Sequence, residues 1–334
     1  MEYTRLGKTG LKVSKVILGC MSYGSSKWEG SPWILDEEGS LRLIKKAYDA
    51  GINTWDTADA YSNGMSEIIL GKAMKKFDIP RSRVVIMTKI SNIVLEGENG
   101  RPTPINEGAF VNQMGLSRKH IFEAVDDCLR RLGTTYIDVL QIHRLDQETE
   151  PEEIMRALHD VVQLGKVRYL GASSMMTWEF ARLQHVAIAN HWTPFVSMQN
   201  FYNLLYREEE RDMIPFCKAT GVGLIPWSPL ARGLLSRPLG VQTARSVVDL
   251  KSKSWFSDSN PEIINRVEAI SREKGVSMTA LSIAWLIVKG CCPIAGLAND
   301  SQLDGLLEAL TVRLSENDLR KLEEEYKPQK VTGI

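Results

Sequence analysis

This 334-residue sequence has no excess of positive or negative charge, no long hydrophobic run and no C-x-x-C motif. Lysine plus arginine number 41 and aspartate plus glutamate number 41, so the formal net charge is zero. Nucleic acid and anionic membrane surfaces therefore have no bulk electrostatic support as partners. No apolar run approaches the roughly 20 residues that a membrane-spanning helix needs. The first residues also lack the apolar stretch of a signal peptide.

Cysteine and glycine motifs exclude further classes. The five cysteines are scattered apart from one adjacent pair, and no C-x-x-C occurs, so neither a disulfide framework nor a metal site is expected. Reduced thiols are typical of an intracellular protein, and we expect a cytoplasmic location. Gly221-Val222-Gly223 lacks the third glycine of G-x-G-x-x-G, and no G-x-x-x-x-G-K-[ST] occurs. The doubly wound dinucleotide fold therefore has no support.

What the sequence does contain is a repeated unit, in which a stretch of helical period ends in glycine and an apolar run follows. Glycine at the first position after a helix suits the left-handed backbone that stops it. Apolar runs without strict alternation are typical of strands covered on both faces. The helix-ending glycines are Gly51, Gly133, Gly165 and Gly221. Eight strands are predicted, near 16–19, 53–56, 84–88, 137–142, 168–172, 196–199, 222–226 and 292–295.

Alternating strands and helices imply a parallel sheet, and eight units imply a closed (β/α)8 barrel in one domain spanning residues 1–334. A glycine-bearing turn between 3–6 and 11–14 predicts an N-terminal β-hairpin. Extra C-terminal helices are expected at 261–274 and 316–326.

Two long segments, 91–117 and 231–260, are rich in glycine, proline, asparagine and serine, so they read as loops. Both follow the C-terminal ends of strands, where barrel enzymes build their sites, and long loops in a compact domain are usually functional.

Four polar side chains stand at or just beyond the ends of successive strands: Asp56, Tyr61, Lys89 and His143. Each alone is more often structural, but in a barrel they should meet in one mouth. A phenol with a pKa near 10 is a poor proton donor at neutral pH, an adjacent ammonium lowers that pKa, and a carboxylate holds the ammonium. We therefore expect Tyr61 as general acid, Lys89 as the residue that tunes its pKa, Asp56 as the residue that orients Lys89, and His143 in a hydrogen bond to a substrate oxygen.

The segment 51–61 resembles the signature of the aldo-keto reductase family, and the resemblance covers essentially the whole chain. The stretch 202–210 is similar to the microbial aryl-alcohol-dehydrogenase-like branch. Further matches are Thr88-Lys89, Gln141-Ile142-His143-Arg144, Gly171-Ala172-Ser173-Ser174, Ser197-Met198-Gln199-Asn200 and Ile225-Pro226-Trp227-Ser228-Pro229-Leu230. The resemblance implies a TIM barrel that reduces aldehydes and ketones to alcohols with NAD(P)H, with Tyr61 as proton donor.

The resemblance also implies a cofactor site. Ser173 and Gln199 would bond the nicotinamide carboxamide, with Ser174 beside them where many members carry asparagine, and the Trp227 ring would stack on the nicotinamide. The loop expected at the pyrophosphate supplies Ser228, Leu230, Arg232 and Gly233. The segment expected at the adenosine phosphate supplies Gly296, Ala298 and Gln302.

The phosphate end of that site departs from the family pattern. Many relatives carry lysine or arginine within 297–299, which this chain lacks, and Asp300 would oppose a 2′-phosphate. Arg245 could supply the missing charge from the long loop. We therefore predict NADP(H) with Arg245 on the 2′-phosphate, while NAD(H) and a plain surface role for Arg245 stay as alternatives.

The substrate pocket gives the weakest signal. Met21, Tyr23, Trp28 and Trp33 follow the first strand and either wall the mouth, which favours an aromatic carbonyl compound, or pack a loop against the rim. Two other functions stay open. One is a cofactor-binding sensing subunit resembling the β subunits of potassium channels. The other is a barrel enzyme that uses an acid and a base without hydride transfer.

Overall fold

The computed structural model describes residues 1–95, 97, 100, 105–249, 255, 256 and 258–333. Two short antiparallel strands form the N-terminal hairpin, β1 (Tyr3–Arg5) and β2 (Lys12–Ser14). The parallel strands are β3 (Ile17–Gly19), β4 (Thr54–Asp56), β5 (Val85–Ile90), β6 (Ile137–Ile142), β7 (Val167–Ser173), β8 (Phe195–Gln199), β9 (Gly223–Leu224) and β10 (Ile294–Gly296). The hairpin and every predicted strand are thus present, with ends shifted by at most two residues.

The parallel strands form one sheet, in the order β10-β3-β4-β5-β6-β7-β8-β9. Its two edges then meet, because the amide of Cys292 donates to the carbonyl of Leu224 at 2.9 Å and the amide of Ile294 donates to that of Pro226 at 2.9 Å. The sheet therefore closes on itself, and the predicted (β/α)8 fold class is confirmed. The prediction of a single domain over 1–334 stays a prediction.

Helices surround the barrel, and two of the four predicted helix-ending glycines cap a helix directly. Helix α3 ends at Gly133 with φ 62° and α6 ends at Gly221 with φ 76°, both in the left-handed region. The described α-helices are α1 (Glu37–Asp49), α2 (Met65–Lys76), α3 (Arg118–Leu132), α4 (Pro151–Gln163), α5 (Thr177–Ala189), α6 (Met213–Thr220), α7 (Ala244–Val248), α8 (Glu262–Lys274), α9 (Met278–Val288), α10 (Asp300–Glu308) and α11 (Glu316–Glu323). The predicted extra helices are α8 and α11, and the latter ends three residues earlier than expected. Among the described residues, no helix is both long and apolar enough to cross a bilayer.

The barrel interior changes character along its axis. At the hairpin end, Leu6 and Val13 pack against apolar strand residues and close that mouth. The strand residues in this inner cluster include Ile17, Val85, Met87, Val139 and Ile294. Toward the C-terminal ends of the strands the interior becomes polar, and a larger apolar cluster fills the space between strands and helices. The apolar end anchors the barrel and leaves the other mouth for chemistry.

The two predicted loops contain some helix. A 3₁₀ turn occupies Gly108–Phe110 in the first, and the second carries α7 and 3₁₀ turns within Ala231–Ser236 that are interrupted at Arg232 and Gly233. Parts of both predictions, at 96, 98, 99, 101–104, 250–254 and 257, lie outside the described residues.

All five cysteines are buried and unpaired. Burial is the main cause that raises the pKa of each thiol above its usual range. The residues are Cys20, Cys128, Cys217, Cys291 and Cys292.

A close approach at Gly171 gives a test of interior packing. A Cβ at this position would lie 2.6 Å from Ser197 Oγ and 2.9 Å from Gln141 Cγ, so Gly171→Ala must displace one of them. We expect a loss of about 1–3 kcal/mol in the free energy of unfolding, as for other overpacked cores, measured by denaturant titration. Gly10→Ala is the control, since no atom lies within 4 Å of its added Cβ. Equal stability of the two variants would contradict the packing described.

Candidate active site

The four predicted residues meet at the C-terminal mouth of the barrel. Asp56 ends β4, Lys89 lies near the end of β5, and His143 directly follows β6. Tyr61 lies on the turn between β4 and α2, with its ring centroid 5.8 Å from that of His143 in an edge-on contact. The convergence expected from a barrel is therefore observed.

The ammonium of Lys89 is the centre of this group. It is fully buried and donates to Asp56 Oδ2 at 2.6 Å, to the Thr57 carbonyl at 2.7 Å and to the Tyr61 hydroxyl at 3.2 Å. Burial by itself would lower the pKa of Lys89, but the Asp56 carboxylate and Tyr61 together raise it above its usual value. The paired carboxylate therefore favours the protonated form of Lys89 beside the phenol.

The second oxygen of Asp56 is also occupied. Gln141 Nε2 donates to Asp56 Oδ1 at 2.9 Å and Gln199 Nε2 donates to it at 3.0 Å, while Gln199 Nε2 lies 2.8 Å from Gln141 Oε1. Gln141 was not among the predicted site residues. Its position two residues before His143, on the same inward face of the strand, was a signal that could have identified it.

The pKa of Tyr61 corrects one expectation. The charge of Lys89 lowers that pKa, as predicted, but desolvation by the surrounding protein is the larger effect and Asp56 adds to it. The net pKa is raised above the usual value of a phenol. The sequence argument went wrong because it counted the neighbouring charge and left out the loss of water.

His143 is neutral. Desolvation, followed by the positive charges of Lys89 and Arg144, lowers its pKa well below the usual value. Its Nδ1 lies 3.1 Å from Nδ2 of Asn92, a residue that the sequence argument did not single out. The neighbouring Arg144 donates to the carbonyl of His143 at 2.6 Å and lies 3.5 Å from Ser173 Oγ.

The turn that carries Tyr61 is strained and clamped. Ser62 and Asn63 have φ of 47° and 51°, which non-glycine residues rarely adopt. Just beyond, Glu67 accepts from Thr88 Oγ1 at 2.5 Å and from Arg131 Nε at 2.6 Å. The buried Glu67–Arg131 pair thereby ties α2 to β5 and α3, which holds the turn in place.

The residues predicted for the nicotinamide lie together beside Asp56. Ser173 Oγ donates to the Gln199 carbonyl at 3.0 Å, and Trp227 Nε1 donates to Ser174 Oγ at 2.9 Å. Phe201 stacks on one face of the half-buried Trp227 ring, with centroids 4.4 Å apart and planes inclined by 16°. Stacking on Phe201 thus fixes the plane of the Trp227 ring at the edge of the site.

The loop predicted for the pyrophosphate has an unusual backbone. Ser228, Ala231 and Arg232 all have positive φ, between 48° and 56°. The Gly233 amide donates to the Leu230 carbonyl at 2.8 Å. Such strain in non-glycine residues clusters at functional sites, and successive amides in tight turns form anion-binding hollows.

Two predicted arginines share one carboxylate. Arg232 lies 2.6 Å from Asp249 Oδ2, and Arg245 Nε donates to the same oxygen at 3.1 Å. The Arg245 guanidinium also lies 5.0 Å from the centroid of the Trp33 ring. Arg245 therefore belongs to a cationic cluster with Arg232 and is held in position on two sides.

The segment predicted for the adenosine phosphate surrounds the start of α10. Gly296 ends β10, and the amide of Ala298 donates to Gln302 Oε1 at 2.6 Å. Asp300 is bonded by Arg42 NH1 at 2.7 Å and by Lys46 Nζ at 2.7 Å. Its negative charge is therefore compensated, which weakens the expectation that it opposes a phosphate.

The predicted pocket walls divide into two pairs. Tyr23 is fully buried and Trp28 is 7% exposed, so both pack within the protein, as the alternative of loop packing predicted. Met21 and Trp33 are half-exposed.

The C-terminal tail reaches the same mouth, which no sequence signal indicated. The Gly333 carbonyl accepts from Arg144 NH2 at 3.2 Å, and the Thr332 amide donates to the Tyr206 hydroxyl at 3.1 Å.

Comparison with known proteins gives a consistent result. The model of the aldo/keto reductase family matches residues 15–327. The versiconal hemiacetal acetate reductase of Aspergillus parasiticus is 53% identical, over 99% of this chain and 98% of that protein. A putative aryl-alcohol dehydrogenase of Saccharomyces cerevisiae is 50% identical, over 99% and 98% of the two chains. An aldo-keto reductase of Alternaria alternata is 49% identical, over 99% and 93%.

A buried carboxyl group near Tyr61 yields a pH-dependent test. Asp59 is 1% exposed, and no side chain in the described part of the chain donates to it. Burial, together with the nearby Glu67 carboxylate, raises the pKa of Asp59 to about 8. Between about pH 4 and pH 8 the folded state therefore binds a proton that the unfolded state lacks, so stability falls as pH rises through this window.

Asp59→Asn removes this proton. From pH 5 to pH 8, the variant's free energy of unfolding should rise relative to that of the native chain by about 3–4 kcal/mol, since each pH unit below the raised pKa contributes about 1.4 kcal/mol, measured by denaturant titration. Asp304→Asn, at an exposed position, is the control. A difference between Asp59→Asn and the native chain that stays constant with pH would refute the assignment.

Proposed function

The chain belongs to the aldo/keto reductase family, and from that premise we propose that it reduces aldehydes or ketones to alcohols with a nicotinamide cofactor and Tyr61 as proton donor. The observation that carries the proposal is the fully buried Lys89, with Nζ 2.6 Å from Asp56 and 3.2 Å from the Tyr61 hydroxyl. A cation beside a phenol stabilises the phenolate that proton donation leaves behind.

The residues at the mouth suit a nicotinamide. Trp227 offers a planar ring that Phe201 covers on one face, and planar aromatic rings stack favourably. Gln199 uses its Nε2 within the site, while no hydrogen bond among the described residues engages its Oε1. That oxygen is available to accept from a carboxamide, with Ser173 beside it. When bound, a reduced nicotinamide supplies a hydride to the carbonyl carbon.

The side chains of this chain complete the reaction. The hydroxyl proton of Tyr61 passes to the carbonyl oxygen, which yields the alcohol. The raised pKa keeps Tyr61 protonated until transfer, and the Lys89 ammonium then stabilises the phenolate. Neutral His143 donates a hydrogen bond to the same carbonyl oxygen, and Asp56 holds Lys89 in place. Bulk solvent then returns the proton to Tyr61.

We propose NADP(H) rather than NAD(H) as the cofactor. Arg245 and Arg232 share the single carboxylate of Asp249, so this cluster carries a net positive charge that suits a phosphate. In this proposal Arg245 binds the 2′-phosphate and Arg232, with the strained loop around it, binds the pyrophosphate.

For the substrate we propose a small, aromatic carbonyl compound. Trp33 and Met21 are half-exposed apolar residues that follow β3, and one relative is named a putative aryl-alcohol dehydrogenase. A sensing subunit is not favoured, because all four residues of the proton-donating group are present and the relatives compared are named as reductases and dehydrogenases. The grouping of Ser173, Gln199 and Trp227 argues against barrel chemistry without hydride transfer. The five unpaired thiols suit a reducing cytoplasm.

Replacing Tyr61 tests the proton donor. Tyr61→Phe should lower kcat by about 10²–10⁴-fold, because it removes the donated proton and little else. Turnover is followed by nicotinamide absorbance with a panel of aryl and aliphatic aldehydes, and cofactor binding by fluorescence titration should be almost unchanged. Tyr3→Phe, which loses only a hydroxyl bonded to Gly51 at the hairpin end, is the matched control. Near-normal turnover of Tyr61→Phe would disprove its role.

Replacing Arg245 tests the cofactor preference. Arg245→Ala should raise the KM for NADPH at least about tenfold and leave that for NADH unchanged, since a bond to a charged group contributes about 1.5–3 kcal/mol. Arg42→Ala probes the other cationic position, beside Asp300, and the exposed Arg130→Ala is the control. Equal efficiency with both cofactors, unaffected by Arg245→Ala, would refute the proposal. A loss confined to Arg42→Ala would move the phosphate site to α1.

A further inference from the structure

The side-chain amide of Asn92 lies within hydrogen-bond distance of Nδ1 of His143. The amide of His143 donates to the carbonyl of Ile90 at 2.9 Å, which brings the ends of β5 and β6 together. Asn92, two residues past the end of β5, is thereby placed beside the imidazole, with its Nδ2 3.1 Å from Nδ1. Asn92 Nδ2 also lies 3.4 Å from Ser91 Oγ.

In the structure the Asn92 amide turns its nitrogen, which can only donate, toward the ring, and in this arrangement Nδ1 of His143 accepts and carries no hydrogen. The imidazole is neutral, because desolvation and the charges of Lys89 and Arg144 oppose its protonation. Tyr61 is a further titratable group that contacts the ring, and it meets the ring edge-on. A neutral imidazole without a hydrogen on Nδ1 has its single N–H at Nε2.

We propose that Asn92 is a positioning residue that holds His143 as the neutral Nε2–H tautomer, so that the ring offers a donor to the substrate carbonyl oxygen. No hydrogen bond among the described residues engages Nε2, which leaves it for the substrate. The opposite tautomer would present a lone pair to the carbonyl oxygen and repel it. The inference rests on the proposed carbonyl reduction for its consequence, but the tautomer itself is a property of the free chain.

Two substitutions of Asn92 distinguish the effect of its hydrogen-bond donor from the effect of its side-chain volume. Asn92→Asp keeps the shape but accepts a hydrogen bond, so it should draw the imidazole proton to Nδ1 or stabilise the imidazolium. Asn92→Leu keeps the volume and offers no hydrogen bond, so it should leave a mixture of tautomers. Asn317→Asp, at an exposed position on α11, is the matched control for the added charge.

The tautomer is read directly by nuclear magnetic resonance. Long-range proton–nitrogen spectra of chain labelled with ¹⁵N-histidine resolve the two ring nitrogens, and His143→Gln identifies the signals of His143 among five histidines. We expect Nε2–H in the native chain and in Asn317→Asp, and Nδ1–H or imidazolium in Asn92→Asp. A native Nδ1–H tautomer, or a His143 spectrum that Asn92→Asp leaves unaltered, would overturn the proposal.

Kinetics then test the consequence. Asn92→Asp should lower kcat for carbonyl reduction about 10²-fold, the scale of losing one donor to a developing oxyanion, while cofactor affinity stays constant. In that variant the acid limb of the kcat–pH profile should also move to higher pH, because the new carboxylate raises the pKa of His143. A changed tautomer with unchanged kcat would disprove the positioning role. A native chain that reduces no carbonyl would disprove the proposed function and leave the tautomer result standing.

Discussion

The ion pair between Lys89 and Asp56 is the interaction on which the arrangement of the mouth depends. Both groups lie out of contact with water, where an unpaired charge would be very unfavourable. Every oxygen of the carboxylate is used, by Lys89, Gln141 and Gln199, and the ammonium also reaches the carbonyl of Thr57. Residues from four strands are thereby fixed relative to one another, so the position of the phenol follows from electrostatics as much as from chain geometry.

The barrel makes such a pair possible by dividing its interior. The hairpin end is sealed by apolar side chains, which anchor the strands and exclude water from below. The charged side chains at the polar end are then buried inside the closed sheet, away from water. This division also explains the raised pKa of Tyr61, since the protein that positions the phenol next to a cation removes the water that would otherwise favour ionisation.

The sequence predicted the features that periodicity and strand ends determine, and it missed those that depend on contacts between side chains. The eight strands and the meeting of Asp56, Tyr61, Lys89 and His143 followed from the alternation of elements and the direction of parallel strands. The contact of Asn92 with His143 did not, because it arises where two strand ends are bonded and has no spacing of its own. The sequence left two alternatives open for Tyr23 and Trp28, since aromatic residues line pockets and fill loops with the same composition, and only their burial decided between them.

The five buried thiols give the fold an internal set of reporters. They lie at the end of β3, within α3 and α6 and just before β10, so they sample separate parts of the barrel wall. In the closed barrel each is shielded and held as a weakly reactive thiol. A thiol-specific reagent can then attack only when a segment opens. The rates of modification at separate cysteines therefore measure how often each part of the barrel opens locally, without any change to the sequence.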